Sequence, residues 1–416
     1  MTAPPSPPFP LLDRVLAPAT YDAMGTMPVV AITGARQTGK STLAKQIARD
    51  LSIPYLSLDD LDVRERAATN PGHLVREAPR LVLDEVQRVP DLLLAIKRAV
   101  DDADQRIPGQ FLLTGSANLL MMRHVADSLA GRALYVQMLP LTRREQLGLG
   151  ATGIWDALLG TPVNDWYALV ESQTVPDEPW RAFVARGGFP RPATQLDTPA
   201  RRAQWYAAYV ETYLERDLRE LAAIDNLVDF RRLMRAACLR IGNLVNLTEL
   251  GRDVQLPKTT VHRYVNLLET SYQLVRIEPY AVNRTKRLIK TPKLYWIDAA
   301  LAMHVAGETE PRGAHLETAV LADLLAWRGA TLPRPNVLYW RTVSGAEVDF
   351  VIERGDTLLP IEVKTSATLG PKDAAAAMLF LEEYGPHAPG AVLLYGGTRT
   401  FWIAPRVLAA PWWKVV

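Results

Sequence analysis

A chain of 416 residues exceeds what one hydrophobic core usually supports, so several domains of ordinary size are expected. Hydrophobic residues at 48% and charged residues at 22% exclude a disordered chain, and a formal net charge of +2 is too small to point to nucleic acid by itself. A lone cysteine, Cys238, excludes an internal disulfide, and six scattered histidines offer no zinc-type ligand cluster.

The opening MTAPPSPPFP lacks the basic and apolar regions of a signal segment, and no apolar run approaches the ~18 residues of a membrane span. A cytoplasmic protein with no membrane partner is expected. Residues 1–28 read as a proline-rich arm followed by a short helix. Short β-capable runs at Val29 to Thr33, Pro54 to Leu58, Arg80 to Asp84, Gln110 to Thr114 and Ala133 to Leu139 are separated by helical stretches. That alternation predicts a parallel sheet over residues 29–141. Residues 142–235 are mostly helical, broken by the loop RGGFPRP, and read as a helical lid; Cys238, just beyond, reads as buried helix filler.

Residues 236–293 read as a helix-turn-helix unit: LTEL, a polar turn at Gly251 to Pro257, the helix KTTVHRYVNLLETSY, the strand QLVRIEPY and a basic wing, AVNRTKRLIKTPK. Residues 294–416 mix strands (LYWID, VLYWR, VDFVIE, LPIEVK, AVLLYG) with helices at His315 to Trp327 and Pro371 to Glu383. This last domain reads as α/β.

The string GARQTGKST fits G-x-x-x-x-G-K-[ST] between an apolar strand and a helix. Gly34 and Gly39 let the backbone curl, so that the amides of Gly34, Ala35, Arg36, Gln37, Thr38, Gly39, Lys40, Ser41 and Thr42 face a polyphosphate at a helix N-terminus. Lys40 reaches the β- and γ-phosphates, and Ser41, rather than Thr42, is placed to hold Mg²⁺. The chain is therefore expected to bind ATP or a close relative with Mg²⁺. In LVLDEVQ, Asp84 ends an apolar strand and can bind the Mg²⁺ hydration shell, with Glu85 beside it to orient water. Small polar residues after FLLTG suit contact with the γ-phosphate; Ser116 is the first choice, with Thr114 and Asn118 as competitors. Arg123 and Arg132 are candidates for an arginine finger, with Arg132 preferred, and an ordinary surface role is the plain alternative.

A second acidic site lies near the C-terminus. Asp349 in SGAEVDFVIE and Glu362 and Lys364 in LPIEVKT form D-x12-E-x-K across two apolar strands. Period-two alternation puts Glu362 and Lys364 on one face, and a hairpin brings Asp349 beside them. Carboxylates so gathered can hold one or two Mg²⁺ ions for phosphodiester hydrolysis, while the lysine steadies the attacking water. Glu317 is a further candidate ligand. A solvated hairpin with paired charges is the alternative.

The pattern from GARQTGKST and LVLDEVQ through TGSAN, LAGR, RGGFP and PKLYWIDAALA to AEVDF and IEVK resembles a family of prokaryotic AAA-type ATP-binding proteins. These carry an uncharacterised C-terminal domain related to the PD-(D/E)xK nucleases. The resemblance spans nearly the whole chain. It implies an AAA-like P-loop core, a helical lid, a winged helix and a restriction-endonuclease-like terminal domain, with nuclease roles on Glu317, Asp349, Glu362 and Lys364.

Arg284, Lys286, Arg287, Lys290 and Lys293 cluster without an acidic residue, beside a helix carrying Lys258, His262 and Arg263. Backbone phosphates of DNA are the expected ligand, with a solvated basic loop as the alternative. Three function classes follow: an ATP-driven, homo-oligomeric DNA-acting protein; a nucleotide-gated switch with an inactive nuclease-like scaffold; and an ATP-dependent nuclease.

Overall fold

The computed structural model describes residues 11–102, 107–115, 129–217, 224, 226–283 and 291–416. Strands β1 (Val29–Thr33), β2 (Tyr55–Ser57), β3 (Leu81–Asp84), β4 (Phe111–Thr114) and β5 (Ala133–Gln137) form one sheet in the order β2-β3-β4-β1-β5. Every pairing in it is parallel, as the alternating pattern predicts. Helices cover both faces, so the inner strands β1, β3 and β4 are buried along their whole length and are mostly apolar. The helix Lys40–Asp50 buries Leu43, Ala44 and Ile47 against Val30 and Ile32. On the other face Asp91–Asp101 buries Leu92, Leu93 and Ile96 against Ala31 and Leu113. The helix Leu16–Thr26 closes the first face through Leu16, Ala23 and Met24.

Three helices, Leu227–Leu239, Leu247–Val254 and Lys258–Thr270, pack with β6 (Leu274–Ile277) and β7 (Lys293–Trp296) in a second unit. The turn between the second and third helices runs through Gln255 in the left-handed region, and the Asn246 side chain caps the second by accepting from Thr248 N and Glu249 N. Cys238 is fully buried here, as expected of helix filler. Strand β7, whose LYWID run reads from sequence as the start of the last domain, pairs antiparallel with β6.

The last domain holds β8 (Asn336–Arg341), β9 (Glu347–Arg354), β10 (Thr357–Lys364), β11 (Ala391–Tyr395), β12 (Phe401–Ala404) and β13 (Val407–Pro411). Their order is β12-β13-β11-β10-β9-β8, with parallel pairs β10/β11 and β11/β13 and antiparallel pairs elsewhere. The helix Gly313–Ala330 lies on one face and Ala375–Tyr384 on the other.

The stretch read as a lid packs in two places. Tyr206, Tyr209, Tyr213 and Leu214 join the three-helix unit. Trp155, Trp166, Trp180 and Phe183 are instead buried in the core of the C-terminal sheet with Trp412 and Val415. Each large apolar side chain so buried contributes about 1.5–3 kcal/mol against about 1 kcal/mol or less for a surface ion pair, so this first part is held on the C-terminal domain. Arg143 and Arg144 reinforce the joint by donating to the carbonyls of Trp413 and Lys414, both at 2.9 Å.

The RGGFP loop is fixed by Asp298, whose carboxylate accepts from Gly188 N at 2.6 Å and Leu301 N at 2.8 Å. A Cβ on Gly187 would stand 2.3 Å from the Tyr206 hydroxyl, and one on Gly188 2.7 Å from the Leu141 carbonyl. The two glycines are therefore required by close approach, and the short motifs RGGFP and YWIDAALA are two halves of one contact.

Candidate functional site

The loop after β1 has the curl that its glycines predict. Gly34 has φ +136°, Gln37 +61° and Gly39 +99°, and a Cβ on Gly34 would lie 2.2 Å from the Met138 carbonyl oxygen. Ala35 and Thr38 are buried, and the Thr38 hydroxyl donates to Ala35 O at 2.9 Å. Gln37 and Thr42 are exposed, while Ser41 is half-buried beside Lys40 at the helix start. The Arg36 guanidinium lies over the Tyr213 ring, 5.3 Å from its centroid, which joins the loop to a π-helical turn at Val210–Asp217.

Lys40 is only 5% exposed, and its ammonium donates to Gly34 O at 3.1 Å and Ala35 O at 2.7 Å. Burial pushes it down to about 8, opposed by the negative charges of Glu85 and Asp84 and assisted by Arg36. Its only hydrogen-bond partners among the described residues are thus two neutral carbonyls, a poor substitute for phosphate.

Asp84 and Glu85 stand two strands from the loop, with Thr114 on the intervening β4. The Thr114 hydroxyl donates to Asp84 Oδ1 and accepts from Glu85 N at 3.2 Å. Tyr55 on β2 donates to Asp84 Oδ2 at 2.6 Å, and burial together with this bond holds the phenol far above its usual range. Asp84 is therefore fixed in orientation. Glu85 takes a left-handed conformation (φ +58°) and accepts from the Gln87 amide. A non-glycine residue in that region marks backbone held by its surroundings.

Arg14 carries no sequence signal of a site residue. It donates to Thr38 O at 2.7 Å, Leu139 O at 2.7 Å and Glu145 Oε1 at 2.9 Å, clamping the loop to the segment after β5. Nothing in its sequence neighbourhood signals this. Arg132 makes a two-pronged pair with Asp101 of its own sheet domain, 2.5 and 2.9 Å. Ser116, Asn118 and Arg123 lie outside the described residues, whereas Thr114, the competitor to Ser116, is the hydroxyl found at the acidic pair.

At the C-terminal site the β9–β10 hairpin brings the expected residues together. Asp349 Oδ2 accepts from Val363 N at 3.0 Å, and Lys364 donates to Glu362 Oε1 at 2.5 Å. Glu317, on the helix Gly313–Ala330, accepts from the Tyr295 hydroxyl at 2.9 Å. Burial pushes both Glu317 and Glu362 up to about 8, with the nearby Asp349 charge adding to it. Among the described residues no three such side chains are spaced to hold a metal ion.

One basic residue stands elsewhere than expected. Lys293, read from sequence as part of the basic wing facing phosphate, is 1% exposed and points into this acidic cluster. It pairs with Glu347 and with Asp349 Oδ1 at 3.4 Å. The reason is topological: β7 is a paired strand, and one of its faces meets the C-terminal domain.

Lys258, His262 and Arg263 are exposed on the third helix of the middle unit, with Arg263 over the Tyr264 ring. Arg284, Lys286, Arg287 and Lys290 lie outside the described residues. No described helix is long and apolar enough to cross a membrane.

Residues 26–147 match the AAA domain model AAA_14, which implies a P-loop nucleotide-binding domain of the kind that typically uses Mg²⁺. Residues 177–312 and 312–415 match two domains of unknown function, DUF8612 and DUF4143. An uncharacterised protein of Mycobacterium tuberculosis is 29% identical over 409 residues, 94% of this chain and 81% of that one. One from Methanocaldococcus jannaschii is 22% identical over 342 residues, covering 78% and 72% respectively. A solved Walker-type ATPase of Pyrococcus abyssi is similar at 14% identity over 70% of this chain and 94% of its own, with a TM-score of 0.42. The chain thus joins an AAA-type ATPase domain to two C-terminal domains of unknown function.

Proposed function

We propose that this protein is a Mg²⁺-dependent ATPase that acts on DNA. The observation that carries the ATPase reading is the grouping of Lys40, Asp84 and Glu85 around one curled loop, with Thr114 fixing the acidic pair. The loop amides and Lys40 would hold the phosphates, and Ser41 and Asp84 would hold Mg²⁺, which neutralises charge on the transferring phosphoryl group when bound. Glu85 would orient the attacking water.

The DNA part rests on the exposed Lys258 and Arg263 of a three-helix unit with a two-stranded ribbon, and on the basic residues between β6 and β7 in sequence. We read that unit as a winged helix. The C-terminal domain, read as nuclease-like on its Asp349, Glu362 and Lys364 motif, would grip or cleave DNA. Assembly as a homo-oligomer belongs to the same reading, with Arg132 leaving Asp101 to reach a neighbour's site.

The test is phosphate release with Mg²⁺ across linear, single-stranded and four-way DNA, with Lys40→Ala and Glu85→Gln as controls. DNA should raise the rate severalfold in the unaltered chain only; equal rates with and without every DNA would sink the DNA reading. Magnesium-dependent cutting that disappears in Asp349→Ala would establish the nuclease.

A second reading is a nucleotide-gated switch with a non-cutting scaffold, favoured by the burial of Lys293 in the acidic cluster. It requires that ATP change the oligomer mass by light scattering while turnover stays negligible.

A further inference from the structure

The third helix of the middle unit, Lys258–Thr270, ends in a reversed turn in which Tyr272 N donates to Glu269 O at 2.9 Å and Gln273 N to Leu268 O at 2.8 Å. Tyr272 is the residue that turns the chain, with φ +59°. Glycine is the usual occupant of that place, because a β-carbon in the left-handed region crowds the following carbonyl oxygen. A bulky ring kept there against its own backbone preference marks a contact that the surroundings enforce.

That contact is the root of the phosphate loop. Burial pushes the Tyr272 phenol up, and a hydrogen bond from the Thr33 side chain opposes the shift. Thr33 is the last residue of β1, immediately before Gly34. Further along the loop, Arg36 lies over the Tyr213 ring, and the Tyr213 hydroxyl donates at 3.5 Å to the carbonyl of Ser271, the neighbour of Tyr272. The end of the third helix therefore meets the loop on both sides of Gly34 and Ala35. Those are the two residues whose carbonyls accept from the Lys40 ammonium.

A polyphosphate attracts that ammonium more strongly than neutral carbonyls do, so its arrival takes a donor from Gly34 and Ala35 and resets the stretch from Thr33 to Arg36. The Tyr272 ring has room to follow, since a cavity of about 430 Å³ borders Tyr272, Thr33 and Tyr135. The Tyr135 hydroxyl on that cavity is buried with no hydrogen-bond partner among the described residues, which offers the phenol a second seat.

We infer that Tyr272 is a positioning residue of the loop, through which the third helix registers whether Lys40 rests on backbone carbonyls or on phosphate. This coupling rests on reading the loop as a nucleotide site and is independent of the DNA reading. The same helix carries exposed Lys258 and Arg263, so a partner bound there and a nucleotide in the loop are linked, each altering the other's affinity by one common factor.

The experiment uses the full chain and follows backbone amide hydrogen exchange in peptides spanning residues 264–277, with and without a non-hydrolysable ATP analogue and Mg²⁺, at concentrations that calorimetry shows to be saturating. The analogue should change exchange at residues 271–273 by about threefold or more in the unaltered chain. Tyr272→Gly, which suits the left-handed turn, should lose that response while saturated. Should the glycine variant not fold, Tyr272→Asn, also tolerant of this backbone region, takes its place. A tyrosine that merely holds the turn would leave the nucleotide-driven change intact in either variant, and that result overturns the inference. Saturation of the unaltered chain with no change in exchange overturns it as well. Absence of nucleotide binding to the unaltered chain is a separate outcome, which removes the nucleotide reading and this coupling with it.

Discussion

The protein contains two lysine-and-carboxylate sites that differ in where the lysine looks. Around the loop after β1, Lys40 rests on two backbone carbonyls while Asp84 is held by the hydroxyls of Tyr55 and Thr114. In the C-terminal cluster, Lys293 and the carboxylates neutralise one another directly. Similar residue types thus make one site whose ammonium gains by meeting a ligand and one whose ammonium already has its counter-charges. Burial alone does not distinguish them, since both lysines are nearly inaccessible; partner identity does.

The sharpest way to break this comparison is to remove each ammonium in turn. Lys293→Met leaves buried carboxylates uncompensated and should lower stability by about 3–5 kcal/mol in a denaturant titration, while Lys364→Met, at a more open pair, should cost less than half as much. Equal losses would mean that Lys293 is not an internal counter-ion. Lys40→Ala should instead leave the denaturant midpoint nearly unchanged and lower ATP turnover by about 10²–10³-fold, the usual effect of deleting one donor to transition-state charge.

A third measurement sharpens the electrostatics. Because burial pushes Lys40 down to about 8, it is protonated below that pH and ready for phosphate. Above pH 8 binding must take up a proton, since phosphates favour the ammonium. ATP affinity by calorimetry should therefore be flat below pH 8 and weaken by up to about tenfold per pH unit above it. Affinity that rises with pH would contradict the environment described for Lys40. The smallest effect belongs to the surface. Lys258→Ala should reduce the slope of log affinity for DNA against log salt by about 1, without altering sequence preference.

What could be read from the sequence follows from distance along the chain. The loop at Gly34, the acidic strand end at Asp84 and the pairing of Glu362 with Lys364 depend on local spacing and period, and all three stand where the pattern puts them. Arg14, Tyr55 and Tyr295 act on residues brought near only by folding, so no window around them carries a signal. Lys293 reads as part of a basic wing because its neighbours in sequence are basic, whereas its neighbours in space are acidic. The tryptophans between residues 155 and 180 show an amphipathic face without saying which core receives it. Strand β13 carries no strand signal in sequence because VLAAP has little β-branched or aromatic character; its pairing with β11 and β12 makes it a strand.

The Asp298 contact bears on how the chain matures during synthesis. The RGGFP turn cannot take its final shape until a carboxylate 110 positions later has left the ribosome, since Gly188 N has that oxygen as its partner. The residues of the first sheet, all before Leu141, have left the ribosome well before then, while the region beyond Leu141 is still unsettled. A nascent fragment ending shortly before Ile297 should therefore be cut by protease at this turn, and one extended past Leu301 should resist.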